Sequence, residues 1–430
     1  MRTTARSFTW LLLLALAACG DDAAPADAGS DAAVDSSVDG GSDTGVDGAP
    51  LADAAVDPAV DSSTDAGPMD AGVACPRAAP TGDGAHAVVV SHPFDAAGTQ
   101  DTRFELLELS ASGELSATGT SFRMGRAFSG EIIFTPDGEL GFVAQEDGSV
   151  GVFRLDAAGV TVLDTGFSGD FYAERVVMDP GGDRLWIVDA EFPNIGGGLY
   201  IASIGCDGSL GVPERVLTAK LPYDVAFLGD GRALVSAREV AGAAAGDDAS
   251  LFDLSAGATR LSSVDAFGDE NAIVSDVVVT DDGAFGLLAD NCGFCGTNRV
   301  GVVSIEGDTL SVQPKLSPIE DPVALVPSPF DDLLLVVSGF GNAVLVYDRA
   351  DPPASPFALR GELTYVGAAP QLPGAAQRVD RGSLRGLVLL AENLGVRRLR
   401  FMGASVVDDL GLMALGTGTE SVVGAMGVTP

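Results

Sequence analysis

A strand–turn–strand pattern recurs along this chain and constrains its fold more than any other feature. The first clear copy is Ile132-Ile133-Phe134-Thr135-Pro136-Asp137-Gly138, followed by Leu140-Gly141-Phe142-Val143-Ala144. Two short apolar runs flank a turn in which Gly supplies the positive φ of a tight hairpin. Similar copies follow at intervals of about 50 residues, and a repeat built only of strands predicts a β-propeller.

The two ends of the repeat region look like complementary parts of one unit. Six innermost strands are predicted near residues 132–135, 176–178, 225–228, 277–280, 323–326 and 377–380. Residues 80–90 look like a turn and a second strand with no first strand before them, whereas residues 422–430 look like a first strand with nothing after it. Joined, they complete a seventh unit. The sequence therefore predicts an all-β, seven-bladed propeller whose C-terminal strand supplies the inner strand of the first blade, which removes open sheet edges.

Two phrases of the repeat resemble a known family. Thr135-Pro136-Asp137-Gly138-Glu139-Leu140-Gly141-Phe142-Val143-Ala144 and Gly148-Ser149-Val150-Gly151-Val152-Phe153-Arg154-Leu155 are similar to the repeat of lactonase-like (YVTN-type) seven-bladed propellers. The resemblance covers residues 76–430 as a repeat signature. That superfamily includes 6-phosphogluconolactonase-like enzymes, metal-dependent lactonases and many surface proteins with no catalytic role, so the resemblance implies the fold and constrains function weakly.

The first 18 residues have the pattern of an export signal. Arg2 and Arg6 precede an apolar run from Trp10 to Leu16, which is too short to span a membrane. The run ends in Leu16-Ala17-Ala18-Cys19-Gly20, which resembles the lipobox of bacterial lipoproteins. We therefore expect lipidation at Cys19 and anchoring in the bacterial cell envelope, with Gly20 favouring the outer membrane. The alternative is a soluble secreted protein with an incidental Cys19.

Residues 19–75 are predicted to be a disordered tether that precedes the propeller of residues 76–430. Between Gly20 and Ala74 there are thirteen Asp and no Lys, Arg or Glu, many of the Asp leading tetrapeptides. Such a segment repels itself and has little to bury. A calcium-binding repeat is the alternative, but the ligand spacing of calcium loops is missing. The whole chain has a formal charge of −37, which argues against nucleic-acid binding.

Carboxylates recur at the starts of the predicted innermost strands, where a propeller brings side chains to the mouth of its channel. They are Glu131, Glu174, Asp224, Asp276 and Asp321. Oxygen ligands from several blades suit calcium or another hard divalent cation, so these five residues are a candidate metal site. The alternative is that they cap loops or accept hydrogen bonds from neighbouring backbone amides.

Histidine and cysteine limit the remaining chemistry. The chain has two His, His86 and His92, and the sequence favours a surface position for His92. Apart from Cys19, four Cys remain, an even number suited to an oxidising compartment. Cys292 and Cys295 fall in one hairpin loop and are predicted to form a small disulfide. Cys75 and Cys206 are then left to pair with each other.

These features favour a monomeric, non-enzymatic binding module or scaffold for an envelope protein or polymer, held at the membrane by its lipid. The alternative is a metal-dependent lactonase or esterase acting on a small molecule at the central channel. The sparse histidine and the absence of a nucleophile elbow or phosphate loop weigh against an enzyme. Metal at the channel mouth would favour the hydrolase, whereas an exposed apolar patch would favour a protein partner.

Overall fold

The strands of this protein follow one another as antiparallel hairpins, in keeping with the turn signals of the sequence. The computed structural model describes residues 75, 77–78, 84–95, 97–127, 130–167, 169, 171–189, 197–240, 242–244, 246–255, 258–268, 272–291, 298–316, 319–350, 355–415 and 423–430. The predicted signal peptide, the lipidation site Cys19 and all of the tether except Cys75 lie outside these residues.

Twenty-seven strands are found in the described residues. They are β1 His86–Phe94, β2 Gln100–Leu109, β3 Leu115–Arg123, β4 Ile133–Phe134, β5 Leu140–Ala144, β6 Val150–Asp156, β7 Gly159–Phe167, β8 Ala173–Met178, β9 Arg184–Asp189, β10 Gly198–Ser203, β11 Glu214–Phe227, β12 Arg232–Val240, β13 Ala249–Asp253, β14 Thr259–Val264, β15 Val274–Val279, β16 Phe285–Asp290, β17 Arg299–Glu306, β18 Thr309–Leu316, β19 Pro322–Pro327, β20 Leu333–Ser338, β21 Ala343–Arg349, β22 Phe357–Glu362, β23 Ala376–Arg378, β24 Leu387–Glu392, β25 Gly395–Gly403, β26 Val406–Ala414 and β27 Met426–Val428. A short 3-10 turn, Gly382–Leu384, lies between β23 and β24.

The strands form a seven-bladed propeller, as predicted. Blade 1 has the order β27-β1-β2-β3, and blades 2, 5, 6 and 7 are β4–β7, β15–β18, β19–β22 and β23–β26. Blade 3 is β8–β11 and blade 4 is β11–β14, because the long strand β11 pairs with β10 through its first half and with β12 through its second half.

The C-terminal strand closes the ring, as the sequence predicts. Val88, Val89 and Val90 of β1 pair with Val428, Gly427 and Met426 of β27. Closure also extends to the next blade, because the N–H of Ile132 donates to the carbonyl of Met426 at 2.9 Å. The apolar core lies between adjacent blades, so the second strand of each blade is covered on both sides. All six residues of β20, for example, are buried, which suits its continuous apolar sequence.

The propeller has two faces that differ in their connections. The turns between first and second strands, and between third and fourth strands, share one face, which we call the turn face. At the start of the described chain, Cys75 forms a disulfide with Cys206, which follows β10 on this face. Arg77 reinforces the attachment by donating to the carbonyl of Gly205 at 2.7 Å. The Cys75–Cys206 pairing is confirmed, whereas Cys292 and Cys295 lie outside the described residues. Within the described chain, no helix is long and apolar enough to cross a membrane.

The Cys75–Cys206 disulfide is expected to stabilise the propeller. It closes a sequence separation of 131 residues, and cross-linking a long loop restricts the unfolded chain. Replacing both Cys75 and Cys206 with Ser should lower the free energy of unfolding by about 2–4 kcal/mol. Denaturant unfolding of this variant and of the parent chain, both under oxidising conditions, measures the difference. Equal midpoints would show that the bridge only holds the first residues in place.

Candidate functional site

A set of equivalent positions lines the centre of the ring. In blades 2 to 6 the first residue of each tight turn donates its N–H to the second strand, and that residue is Thr135, Asp179, Leu228, Thr280 or Ser328. The residues four positions earlier, near the start of each innermost strand, are Glu131, Arg175, Asp224, Asp276 and Ala324. The repeat therefore brings three carboxylates and one guanidinium group to one level of the channel.

Arg175 holds this cluster together. Its guanidinium group forms an ion pair with Asp224 in blade 4, lies 3.5 Å from Asp276 in blade 5 and donates to the carbonyl of Ser275. The two carboxylates are also bound by backbone. Asp224 accepts the N–H of Val277 at 2.9 Å, and Asp276 accepts the N–H of Leu325 at 2.6 Å. Each carboxylate thus connects its own blade to the next, with Arg175 spanning three blades.

Gln377 in blade 7 adds a further polar side chain to the channel cluster, two residues after the position equivalent to Glu131. Its carbonyl oxygen accepts the N–H of Val428 in blade 1 at 2.9 Å, and its amide group donates to the carbonyl of Ile132 in blade 2 at 3.3 Å. It also hydrogen-bonds the carboxylate of Glu131. Arg175 and Gln377 therefore fill the centre of the channel with side chains whose hydrogen bonds join neighbouring blades.

The excess of carboxylates changes their acidity. Burial raises the pKa of Asp276 to about 7, and repulsion from Asp224 and Glu131 adds to this effect while Arg175 opposes it. Burial also raises the pKa values of Glu131 and Glu174 above their usual range, again against the attraction of Arg175. Burial disfavours the charge of Arg175, but the surrounding carboxylates raise its pKa above the ordinary value. The cluster can therefore hold protons near neutral pH.

The five predicted metal ligands do not all meet. Glu131, Asp224 and Asp276 converge, and Glu174 lies beside them, one residue before Arg175. Asp321 is elsewhere, because Ala324 occupies the equivalent position in blade 6. The carboxylate of Asp321 accepts the N–H of Phe340 at 3.1 Å and so caps a loop. That part of the prediction is wrong, and the alternative of bonds to backbone amides is what the structure contains.

No group of three or more His, Cys, Asp or Glu among the described residues is arranged to hold an ion. A guanidinium group instead supplies positive charge at the centre of the cluster. The calcium site stays a prediction. Sequence reasoning missed Arg175 and Gln377 because it searched the strand starts for carboxylates alone.

A second layer of polar residues ends the second strands. His92, Gln145, Asp189, Asp290, Ser338 and Glu392 are each 0–2% exposed. Asp189 accepts the N–H of Tyr172 at 2.9 Å and Asp290 accepts the N–H of Ile273 at 3.1 Å, so these carboxylates fix the segments that enter the innermost strands. The expected surface position of His92 is wrong, since its Nε2 lies 3.1 Å from Glu105 in a buried pair. The hydrogen bonds of this layer hold the ends of the strands in place.

The channel cluster should make stability depend on pH. The pKa of Asp276 is raised in the folded state, so its contribution is complete below its unfolded pKa and is lost as pH rises through about 7. The Asp276→Asn variant lacks this titration. Raising the pH from 4 to 8 should therefore lower the unfolding free energy of the parent by roughly 2–4 kcal/mol relative to that of the variant. Urea unfolding of both proteins across this range measures it, and a constant difference would contradict the assignment.

Blades 6 and 7 carry most of the exposed large apolar side chains. Of the eleven such residues in the described chain, nine lie within 330–412. They are Phe330, Phe340, Leu359, Val366, Leu372, Met402, Val406, Leu410 and Leu412. We call this set the apolar surface. Its members lie in the turn at Phe330, near the end of β25, in the outer strands β22 and β26, and in the loops at the opposite end of blades 6 and 7. Single exposed apolar residues need no explanation, whereas a concentration of them does.

Charge is distributed with the same asymmetry. Residues 330–412 contain eight Lys or Arg and nine Asp or Glu. Residues 76–329 contain 14 Lys or Arg and 38 Asp or Glu. The apolar surface therefore belongs to the near-neutral part of a strongly acidic propeller. Like-charge repulsion elsewhere keeps proteins apart, so this region is the one most suited to contact with another macromolecule.

The fold is similar to those of several solved structures. It is similar to the periplasmic gluconolactonase PpgL of Pseudomonas aeruginosa, with a TM-score of 0.58, 14% identity and coverage of 80% of this chain and 99% of that one. It is also similar to a provisional 6-phosphogluconolactonase from Bacteroides fragilis, with a TM-score of 0.59, 12% identity and coverage of 82% of this chain and 99% of that one. A third similar structure is Sqt1 of Chaetomium thermophilum bound to the N-terminus of ribosomal protein L10. Its TM-score is 0.50, with 14% identity and coverage of 77% of this chain and 88% of that one. No protein-family model matches the chain, and no curated protein matches it. The likeness confirms the fold expected from the repeat.

Proposed function

We propose that this protein is a non-enzymatic binding module of the bacterial cell envelope, lipidated at Cys19, with the apolar surface as its site for an envelope protein or polymer. The observation that carries the proposal is the concentration of exposed apolar side chains in the least acidic part of the propeller. An apolar surface of this kind is typical of interaction sites.

The arrangement of the channel supports the same proposal. The carboxylate oxygens of Asp224 and Asp276 already bind Arg175 and the backbone amides of adjacent blades. They are therefore poorly placed to activate a water molecule. A propeller that presents its partner surface on the outer strands needs only a rigid ring beneath them. Sqt1, whose fold is similar, is bound to the N-terminus of ribosomal protein L10, which supports the proposal that such a propeller can act as a binding module.

Site-specific photo-crosslinking on intact cells tests the proposal. A photoreactive residue at Val406 or Leu410 is expected to give one discrete adduct that reforms with the purified partner. Val212, 93% exposed, and Val312, 46% exposed, are matched controls outside the apolar surface. The same adduct from the control positions, or none from Val406 and Leu410, would exclude the apolar surface as the binding site.

A lactone or ester hydrolase is the second candidate, favoured by one feature of the channel mouth. Glu174 lies next to Arg175 and is accessible to solvent, and partial desolvation of its carboxyl by the surrounding atoms raises its pKa. A carboxyl group of raised pKa beside a guanidinium group can donate a proton while the cation stabilises a developing oxyanion. The surrounding carboxylates favour an uncharged substrate over a phosphorylated one.

Hydrolysis of glucono-1,5-lactone by the purified chain tests this candidate. An enzyme of this kind should hydrolyse the uncharged lactone faster than its 6-phosphate, and the Glu174→Gln variant should lose at least tenfold in kcat/KM. Glu146→Gln, on the same blade face but outside the channel cluster, is the control. A rate equal to that of buffer, or an unchanged rate in Glu174→Gln, would exclude catalysis at the channel mouth.

A further inference from the structure

One part of the apolar surface also carries positive charge, on the turn face where blades 6 and 7 meet. We call it the lower patch and define it by Phe330, Met402, Arg381, Arg385 and Arg400. Phe330 and Met402 are 45% and 56% exposed. They belong to neighbouring blades, and Phe330 lies beside Gly403, which follows Met402. Two apolar side chains thus project from adjoining turns.

The arginines of the lower patch surround the 3-10 turn Gly382–Leu384. Arg385 lies over the ring of Phe330, 5.8 Å from its centroid, and donates to the carbonyl of Pro329 at 2.9 Å. Arg400 donates to the carbonyl of Ser383 at 2.7 Å. These bonds use one donor from a group of five, so each guanidinium group keeps donors facing solvent.

The rest of the turn face has the opposite charge. The turns of the neighbouring blades carry carboxylates that are exposed or half-buried, such as Asp281, Asp282, Glu306 and Asp308. Arg349 and Arg378 on this face are bound to Asp282 and Asp281, whereas Arg385 and Arg400 of the lower patch donate to backbone carbonyls.

Asp331, Asp332 and Asp380 adjoin the patch, but Asp331 lies 3.7 Å from Arg349, Asp332 accepts the N–H of Ser405, and Asp380 forms an ion pair with Arg378. Among the described residues, the arginines of the patch are therefore the charged groups of this area without a carboxylate partner.

We propose that the lower patch binds an extended protein segment in which carboxylate side chains alternate with large apolar ones. This inference rests on the proposed function and names the chemistry of the partner. Arginine forks bind carboxylates in bidentate geometry, and the apolar side chains of the segment would cover Phe330 and Met402. An anionic bilayer is disfavoured because its extended charge would face the acidic turns around the patch, whereas a short segment meets the patch alone.

Methyl NMR of the full chain labelled with ¹³C-methyl methionine tests the inference. Met402 is the exposed reporter among the described methionines, since Met178 and Met413 are half-buried and Met124 and Met426 are 6% and 0% exposed. A Met402→Leu variant assigns its signal. The probe is an acetylated pentapeptide that alternates Asp with Leu and Phe. The control peptide replaces each Asp with Lys. We expect the acidic peptide to shift the Met402 signal selectively, with weaker binding at high salt, and the basic peptide to leave it unchanged.

A double variant, Arg385→Gln with Arg400→Gln, should weaken binding of the acidic peptide at least tenfold. Arg154→Gln is the matched control, because Arg154 donates to the carbonyl of Cys206 in the same way on the same face. No shift, an equal shift with the basic peptide, or unchanged affinity in the double variant would overturn the inference. So would a Met402 shift produced by phosphatidylglycerol vesicles but not by the peptide. If crosslinking at Val406 succeeds but the peptide does not bind, the proposed function stands and only the inferred chemistry of the partner segment is excluded.

Discussion

The Arg175→Met variant is expected to unfold at a much lower denaturant concentration than the parent protein. Its guanidinium group is the cation that the structure places among Glu131, Asp224 and Asp276. Methionine keeps the volume and removes the charge, which leaves carboxylates crowded without compensation. Removing one partner of a buried ion pair costs roughly 3–5 kcal/mol. Urea unfolding at pH 8 measures the loss.

Two comparisons separate this effect from general damage. The Arg360→Met variant removes an exposed ion pair with Asp348, and exposed pairs contribute about 0–1 kcal/mol. The loss caused by Arg175→Met should also shrink at pH 5, because a carboxyl group with a pKa of about 7 is then protonated. Adding Asp276→Asn to Arg175→Met should recover part of the stability at pH 8. Equal losses in the two arginine variants, or a loss independent of pH, would show that Arg175 does not hold the channel together.

The fold was predictable because its signals are local and repeated. Turns such as Asp179-Pro180-Gly181-Gly182 and apolar runs such as β20 specify hairpins through short-range chemistry, and Gly182 adopts a φ of +75° as its turn requires. Ring closure was predictable from the incomplete units at the two ends. The dual use of β11 was not, because nothing in its sequence marks the point where the strand passes from one blade to the next.

The candidate site was less predictable because convergence depends on register. Glu131, Asp224 and Asp276 were found as carboxylates near strand starts, but counting back from each turn also places Arg175 and Ala324 in the same set. That count excludes Asp321, which is three residues from the equivalent position. The apolar surface was not predictable, because an outward residue on an outer strand has the same sequence pattern as an inward one until the pairing of β25 and β26 is known.

Gly427 is a residue at which the closed ring tolerates little change. A Cβ atom there would lie 2.1 Å from the carbonyl oxygen of Ile132 and 2.7 Å from its Cβ. The innermost strands of blades 1 and 2 approach this closely because Ile132 donates its N–H to Met426. The side chain of Gln377 shares the same carbonyl of Ile132. The absence of a side chain at residue 427 thus permits the contact that joins the last strand to the second blade.

The Gly427→Ala variant should therefore open the ring at its closure. The new methyl group meets backbone, which cannot rotate away, so β27 or β4 must move and the bonds at Ile132 must lengthen. We expect the free energy of unfolding to fall by roughly 3 kcal/mol or more. Hydrogen exchange should accelerate first in β1 and β27. Gly229→Ala is the matched control, since a Cβ there meets nothing within 4 Å and should change stability by less than about 1 kcal/mol. Parent-like exchange in β1 and β27 of the Gly427→Ala variant would mean that the approach of Ile132 is not what holds the propeller closed.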